Sequence, residues 1–351
     1  MIRLGAVGDV VRTLPAVSAL RAAYPGAHLT WLVEQASASV LEGQPWLDEV
    51  LLFPRERLRD SLRRVRPRVF AATLSAFLRE LRERRFELVL DFHGILKSGL
   101  LAWASGAPLR AGYDAPFGRE GAWLFANARA RLAPARVSRF DRNAGLLRFL
   151  GVRAEPAAQP LRVPAEALAR AEQALGGGPA PAAIHPGTSD ATPHKRYTVE
   201  GYAAVARGLL EREGIPCVVT RGPARGDLAF AEAVVKAAHG AARLAPPTPN
   251  LRDLAALFAV CRLYLGSDTG PLHVASLVGT PVVQILGPTD PLENEPWPGT
   301  PMRQVRVPVA CSPCRRGCAA ATCMRVVPAE LVLAAARELL AASPARAPLG
   351  A

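Results

Sequence analysis

Gly266-Ser267-Asp268-Thr269-Gly270-Pro271-Leu272-His273 follows one apolar run, Leu263 to Leu265, and opens another, Val274 to Val278. The order reads as a strand, a tight turn and a helix start, with an acid, a hydroxyl and a glycine at the turn. A helix N-terminus offers unpaired backbone N–H groups and the positive end of the helix dipole, which suits an anion such as a diphosphate. Thr269 is placed to cap the helix, Gly270 lets a ligand approach the backbone, and Asp268 is placed to accept from a ribose hydroxyl or to hold the turn. An ordinary capped strand-to-helix turn would use the same residue types, so the remainder of the chain has to decide between the two.

Working outward, the same alternation recurs on both sides of that stretch. Toward the N-terminus come strands at Ala182 to His185 and Ile215 to Thr220, with helices at 199–212, 227–238 and 251–260; beyond the turn lie the strand Pro281 to Leu286 and a closing helix, Pro328 to Ala342. The first half repeats the theme. A short run, Ile2 to Leu4, leads through Gly5-Ala6-Val7-Gly8-Asp9 into a helical pattern that ends near Pro25-Gly26. Strands follow at His28 to Val33, Glu49 to Leu52 and Glu87 to Asp91, with helices at 71–84, 95–104 and from Arg139 to Leu150. Strand–helix–strand alternation predicts parallel sheets with helices on both faces. The segment 152–182, rich in Pro, Ala and Gly, is expected to hold or adjoin a linker. The prediction is therefore two α/β domains in series, 1–160 and 161–328, with 329–351 as a terminal helix and tail. Ligands are expected at the carboxyl ends of the strands, in a cleft between the two sheets.

The 351 residues carry a net charge of +13, unevenly spread. Residues 1–160 hold 24 basic and 15 acidic residues, against 19 and 15 in the rest. The excess peaks where Arg55, Arg57, Arg59, Arg63, Arg64, Arg66 and Arg68 face only Glu56 and Asp60. A solvated helix face usually alternates its signs, so an anionic partner for the first half is indicated. Nucleic acid is disfavoured, because no stacking aromatics or DNA-reading pattern accompany the arginines. Only Lys97, Lys195 and Lys236 are lysines in this arginine-biased chain, which singles those positions out. No secretory signal precedes Gly5, and no apolar run reaches membrane-spanning length, so a cytosolic protein, at most attached to a membrane surface, is expected.

Four turns carry candidate chemistry. Asp9 begins the first helix, where a carboxylate either caps the helix or acts as a general base. Gly5-x-x-Gly8 does not fit a dinucleotide fingerprint. His185-Pro186-Gly187-Thr188-Ser189 leads to His194-Lys195-Arg196-Tyr197, either a phosphate clamp with Lys195 as its point charge or a polar surface loop. Asp268-Thr269-Gly270 with His273 is the third, and Asp91-Phe92-His93-Gly94-Ile95-Leu96-Lys97-Ser98 the fourth. No Asp-x-Asp pair is present to hold a divalent metal against a diphosphate, so Lys195, Arg196 and the helix start at Thr269 would have to neutralise it. Cys217 and Cys261 read as buried small residues. Cys311, Cys314, Cys318 and Cys323 crowd together, leaving zinc, an iron–sulfur cluster, reduced thiols or an occasional disulfide open; no metal is expected in the catalytic chemistry.

Gly8-Asp9-Val10-Val11-Arg12-Thr13-Leu14-Pro15, Gly94-Ile95-Leu96-Lys97-Ser98 and Ser267-Asp268-Thr269-Gly270-Pro271-Leu272-His273 resemble the signatures of glycosyltransferase family 9, the lipopolysaccharide heptosyltransferases. The Cys311 to Met324 pattern resembles that family too, in matching order. The arginine-rich insertion before Phe86 and the run Gly121 to Asn127 are most similar to its heptosyltransferase I branch. The resemblance implies a GT-B fold of two Rossmann-like domains whose parallel sheets face each other across a cleft. It implies metal-independent, inverting transfer of heptose from ADP-L-glycero-D-manno-heptose to Kdo on lipid A, without a cofactor. By position Asp9 resembles the catalytic base, while Thr188, Ser189, Lys195, Asp268, Thr269, Gly270 and His273 resemble the donor site. Lys97 and the arginines, Arg55, Arg57, Arg63 and Arg64 among them, resemble the surface for the anionic acceptor. A monomer in peripheral contact with the cytoplasmic face of the inner membrane is implied. The chain departs from the family at Arg221-Gly222-Pro223-Ala224, which lacks a usual glutamate and has Asp227 as its nearest acid. It also departs at Arg196-Tyr197, where tryptophan is commoner, and at His93, where glutamine is usual. The short first strand implies a natural start a few residues before Met1. Rival readings are a GT-B enzyme using another sugar or acceptor, and a non-catalytic binder of nucleotide or anionic glycolipid.

Overall fold

Every strand ladder among the described residues is parallel. The computed structural model describes residues 1–133, 136–222, 225–314 and 317–343. The chain divides into two compact units, Met1–Pro160 and Leu161–Ala351.

In the first unit, helices α1 (Val7–Val11) and α2 (Leu14–Ala23) precede strand β1 (Thr30–Glu34), helix α3 (Gln35–Ala38) and strand β2 (Glu49–Phe53). Helices α4 (Arg55–Arg63) and α5 (Pro67–Glu83) lead to β3 (Leu88–Leu90), α6 (Leu96–Ala104) and β4 (Leu109–Tyr113). A 3-10 turn at Ala122–Phe125, strand β5 (Ala128–Ala130) and helix α7 (Arg139–Phe149) complete it. The strands form two sheets, β1-β2 and β3-β4-β5. The Ile2 to Leu4 run, expected as a strand, forms only isolated bridges, yet these join the sheets: Ile2 pairs with Leu32 on one side and Asp91 on the other. Its backbone donates from Ile2 N to Leu90 O (2.8 Å) and accepts at Met1 O from Leu32 N (2.9 Å).

The second unit carries α8 (Ala165–Leu175), β6 (Ala182–His185), a 3-10 turn at Pro193–Lys195, α9 (Val199–Glu213) and β7 (Cys217–Val219). Next come α10 (Arg225–Ala237), β8 (Ala242–Leu244), α11 (Leu251–Ala259), β9 (Leu263–Ser267), α12 (Gly270–Leu277) and β10 (Val282–Leu286). Strand β11 (Met302–Arg306) and helices α13 (Thr322–Arg325) and α14 (Ala329–Ala342) close the unit. Its sheet runs β8-β7-β6-β9-β10-β11. The chain winds outward from β6 in one direction and from β9 in the other, so the order reverses between these two neighbours. That reversal is the switch point at which open parallel sheets leave a crevice for ligands. β9 and β10 are buried throughout, as strands covered on both faces must be.

Several elements differ from the sequence expectation. Helix α8 occupies the middle of 152–182, where a linker was expected, and its Ala167 and Ala171 pack on Ala256 and Val260 beside α11. The arginine-rich stretch is helical over α4, with Leu58 and Ser61 buried beneath exposed arginines. Strands β4, β5, β8 and β11 were not anticipated; β5 (Ala-Arg-Ala) and β8 (Ala-Arg-Leu) are too short and polar to produce an apolar alternation.

Packing is tight where α9 starts. Tyr197 is buried, donates from its hydroxyl to Val327 O (2.9 Å), and meets Tyr202 edge-on with ring centroids 5.1 Å apart. A Cβ at Gly201 would lie 2.3 Å from the Tyr197 ring, which is fixed at both ends. Gly201→Ala should therefore destabilise this unit by about 1–3 kcal/mol, as overpacked cores do; the shift in urea midpoint checks this.

Candidate active site

The two motifs expected on the donor side meet at the switch point of the six-stranded sheet. β6 and β9 pair in parallel with His185 opposite Gly266, so the loops leaving their carboxyl ends start side by side. Lys195 Nζ reaches Asp268 Oδ2 at 2.9 Å and Asp268 O at 3.4 Å. His273 Nε2 lies 3.6 Å from the other Asp268 oxygen. Asp268 and His273 are buried, while Lys195 is partly open to solvent. One lysine, one carboxylate and one imidazole thus stand at the first turn of α12. Thr269 occupies the N-cap position, but its hydroxyl makes no capping bond and instead leans toward Ser267 O (3.5 Å), correcting the capping role expected of it. The first turn of α12 thus lacks a side-chain cap, and a helix start of this kind offers N–H groups to an anion.

The loop after β6 is cross-braced. Arg196 Nε donates to Thr188 Oγ1 (3.1 Å), and its guanidinium lies 3.4 Å from Asp227 Oδ1 and over the Phe230 ring. Ser189 Oγ sits 2.8 Å from Thr192 Oγ1 on the exposed side of the same loop. The buried Asp227 carboxylate lies beneath two backbones: a Cβ at Gly187 would come within 3.1 Å of it, and one at Gly222 within 2.3 Å. Asp227 therefore braces both loops around the strand ends, a role the sequence reading, which noted it only as the nearest acid, did not give it. Pro223 and Ala224, the positions of the missing glutamate, lie outside the described residues. At the end of β6, burial pushes His185 down to about 4, with Nδ1 2.9 Å from Thr220 Oγ1. The ring is neutral at pH 7 and bridges β6 to the end of β7.

The first unit gathers a second cluster around Asp9. Asp9 is the third residue of α1 and the N-cap position belongs to Ala6, so it does not cap the helix. Its carboxylate is held by three guanidiniums. Arg12 Nη2 lies at 2.7 Å and Arg139 Nη1 at 2.6 Å from Oδ1, and Arg3 pairs with Oδ2. Burial pushes the acid up, but Arg3, Arg12 and Arg139 together pull it well below the usual carboxylate range. The i,i+3 spacing made Arg12 findable in the sequence. Arg139 is 130 residues away, and nothing in its surroundings signalled the contact. His93 accepts at Nδ1 from Leu4 N (3.4 Å), and burial, helped by Arg3, pushes it down to about 3. Asp91 is fully buried, accepting from the His93 and Gly94 N–H groups and from Ser98 Oγ (2.8 Å). It fixes the turn into α6.

Of the expected acceptor-side residues, Lys97 and Arg55 converge on Glu34, at 2.7 and 2.5 Å. Glu34, the last residue of β1, escaped the sequence reading. Lys97 also stands 5.3 Å over the Phe53 ring. Arg57, Arg63 and Arg64 line the exposed side and end of α4, with Arg64 paired to Asp60 at 2.9 Å. Among the described residues no three His, Cys, Asp or Glu side chains are spaced to hold a metal ion. Cys311, Cys314, Cys318 and Cys323 are free thiols, and burial with the three neighbouring thiols pushes Cys323 up.

Two Rossmann-like units of parallel sheet, one with charged loops at its switch point, are the architecture of the GT-B class. Residues 74–324 match the model of glycosyltransferase family 9 (heptosyltransferase), and the chain belongs to that family. It is 27% identical over 300 residues to the lipopolysaccharide core heptosyltransferase OpsX of Haemophilus influenzae, covering 85% of this chain and 81% of that one. It is 28% identical to lipopolysaccharide heptosyltransferase 1 of Pseudomonas aeruginosa over 294 residues, covering 83% and 79%. Among solved structures, a family 9 glycosyltransferase from Veillonella parvula matches with a TM-score of 0.74 at 24% identity, covering 97% and 96%. Escherichia coli heptosyltransferase WaaC with ADP matches with a TM-score of 0.71 at 22% identity, covering 87% and 92%. These structural likenesses bear on the fold.

Arg139→Gln should raise the Asp9 pKa toward the ordinary carboxylate range, because one of three neutralising charges is lost while Arg3 and Arg12 remain. Carboxyl 13C shifts of aspartate-labelled protein against pH report it directly; an unmoved midpoint would mean Arg139 does not hold the acid.

Proposed function

We propose that this chain transfers heptose from ADP-L-glycero-D-manno-heptose to Kdo of the lipid A–Kdo acceptor of the lipopolysaccharide inner core, as a heptosyltransferase I. Transfer inverts the anomeric carbon and uses no divalent metal. The enzyme works as a monomer at the cytoplasmic face of the inner membrane, in peripheral contact with it. The observation that carries the reading is the Lys195–Asp268 pair at the switch point, beside the first turn of α12. The lipopolysaccharide heptosyltransferases among the relatives support the substrate class. For the donor, support comes from the E. coli enzyme, solved with ADP and with ADP-2-deoxy-2-fluoro heptose.

In this reading the acceptor hydroxyl attacks the anomeric carbon while Asp9 takes its proton. The bond from that carbon to the ADP oxygen breaks, and the electron pair leaves on the β-phosphate. Lys195 and the N–H groups of α12 meet the charge that develops there. Thr188, Ser189, Thr269, Gly270 and His273 shape the donor's surroundings. Asp9 bound to three guanidiniums is a weak base, so one of them has to let go. Arg3 and Arg12 are 5% and 6% exposed and also bond backbone oxygens of Phe92 and Gly8, whereas Arg139 is 32% exposed. The carboxylate of an acidic acceptor sugar competes with Asp9 for Arg139, and Asp9 becomes basic only when that acceptor is bound.

The test is purified protein with ADP-heptose and Kdo-bearing lipid A, followed by mass spectrometry for a one-heptose gain. Asp9→Asn should lower turnover by about 10²–10⁴-fold with donor binding retained, as loss of a general base does. Lys195→Ala should slow transfer by about 10²-fold or more and weaken donor binding. Unchanged activity in Asp9→Asn would remove the base assignment, and no heptose gain with wild type would remove the acceptor.

A further inference from the structure

Helix α6 is apolar on the side that faces water. Its core side is ordinary: Ser98, Leu101 and Ala102 are buried. On the opposite side, Leu96, Leu100 and Trp103 recur at i, i+4 and i+7, a spacing that puts them in one stripe. They are 42%, 43% and 58% exposed. A surface helix normally carries charges there, and a helix apolar all round is a buried one. The 3-10 turn Ala122–Phe125 lies flush against α6: a Cβ at Gly99 would stand 3.1 Å from Ala122 O. That turn adds Leu124, 69% exposed. Four large apolar side chains are thus presented to solvent on two touching segments.

The charges around this face are mostly of one sign. Lys97 lies on α6 itself, and Arg55 joins it through their shared Glu34. Arg82 donates to Ala104 O at the far end of the helix (2.8 Å), and Arg110 to Phe125 O beneath the turn (2.9 Å). Arg119 stands at the near end, its N–H bonded to Gly94 O; Glu120 beside it and the largely buried Glu34 between Lys97 and Arg55 are acids among these cations. An exposed tryptophan with leucines, ringed by lysine and arginine, matches a membrane–water interface carrying anionic headgroups. No helix of the described residues is long and apolar enough to cross a membrane.

We infer that α6 and the Ala122–Phe125 turn form the surface by which this protein docks on an anionic phospholipid bilayer, with Leu96, Leu100, Trp103 and Leu124 entering the interface and the surrounding cations meeting the headgroups. This deepens the peripheral contact proposed above by naming its residues. Lys97 shares the helix, so docking brings the acceptor-side cations to the lipid surface from which a glycolipid acceptor projects.

The experiment is co-sedimentation of the full chain with vesicles of phosphatidylglycerol in phosphatidylcholine, and with phosphatidylcholine alone. Wild type should bind the anionic vesicles, less so at high salt, and the neutral ones weakly. Leu100→Ser with Trp103→Ser should reduce anionic-vesicle binding by about tenfold or more. The exchanged side chains are solvent-facing, so the fold should be kept; an unchanged thermal transition and unchanged transfer to a soluble, deacylated acceptor check this. Equal vesicle binding by wild type and variant would overturn the inference. So would a concentration-dependent dimer, seen by sedimentation velocity, that the variant loses while wild type ignores vesicles. The vesicle assay needs neither donor nor acceptor, so its failure leaves the transferase reading standing, and the reverse holds as well.

Discussion

The first unit depends on the hydrogen bonds made by its opening residues. Two small parallel sheets, one of two strands and one of three, would each leave an unpaired edge. The Met1 to Leu4 backbone fills the space between them, bonding Leu32 on one side and Leu90 on the other. The same segment carries Arg3, whose guanidinium continues to the Phe92 carbonyl and to Asp9. Four residues therefore join the sheets and set the electrostatics of the carboxylate that follows them. Trp31, fully buried, adds an indole bond to the Arg3 carbonyl at 3.2 Å and holds that segment from beneath.

The two units handle charge in opposite ways. Around Asp9, guanidiniums outnumber carboxylates, and a further cation, Arg142, is buried enough that its own pKa is pushed down. Such a cluster is stable only because Asp9 is ionised, and these groups together leave net positive charge. At the switch point of the second unit the balance is closer to even: Lys195 answers Asp268, and Arg196 answers Asp227. On the proposed reading, a diphosphate arriving there would exchange one partner for another, whereas an acidic sugar near Asp9 would meet net positive charge. Both arrangements keep cations oriented before a ligand is present, which lowers the cost of ordering them on binding.

The sequence made the architecture legible because long strands and helices repeat their periods many times: β9, α12 and β10 follow directly from apolar runs and one Gly-Pro turn. It did not reveal β5 or β8, whose three residues contain an arginine each, nor α8, whose alanines, followed by Gly176 to Gly178, read as a linker until Ala167 and Ala171 pack beside α11. The site was half visible. Asp9, Lys97, Lys195 and Asp268 stand out by residue type at strand ends, and a helical i,i+3 spacing points to Arg12. Glu34 ends its strand like many glutamates, and Arg139 and Asp227 act over distances that no local pattern encodes. Their partners exist only once the sheets have brought distant turns together.

Tyr197 has a consequence for exchanging parts between family members. Its hydroxyl ties the Lys195 loop to the backbone at Val327, just ahead of α14, and its ring fills the hollow that Gly201 leaves at the start of α9. A tryptophan in that place would need a wider hollow, because its indole is larger than the phenol ring that now fills it. The loop is therefore not a cassette. A chimera carrying a relative's Lys195 loop has to bring the first turn of α9 and the approach to α14 with it, because those three pieces are fitted to one another.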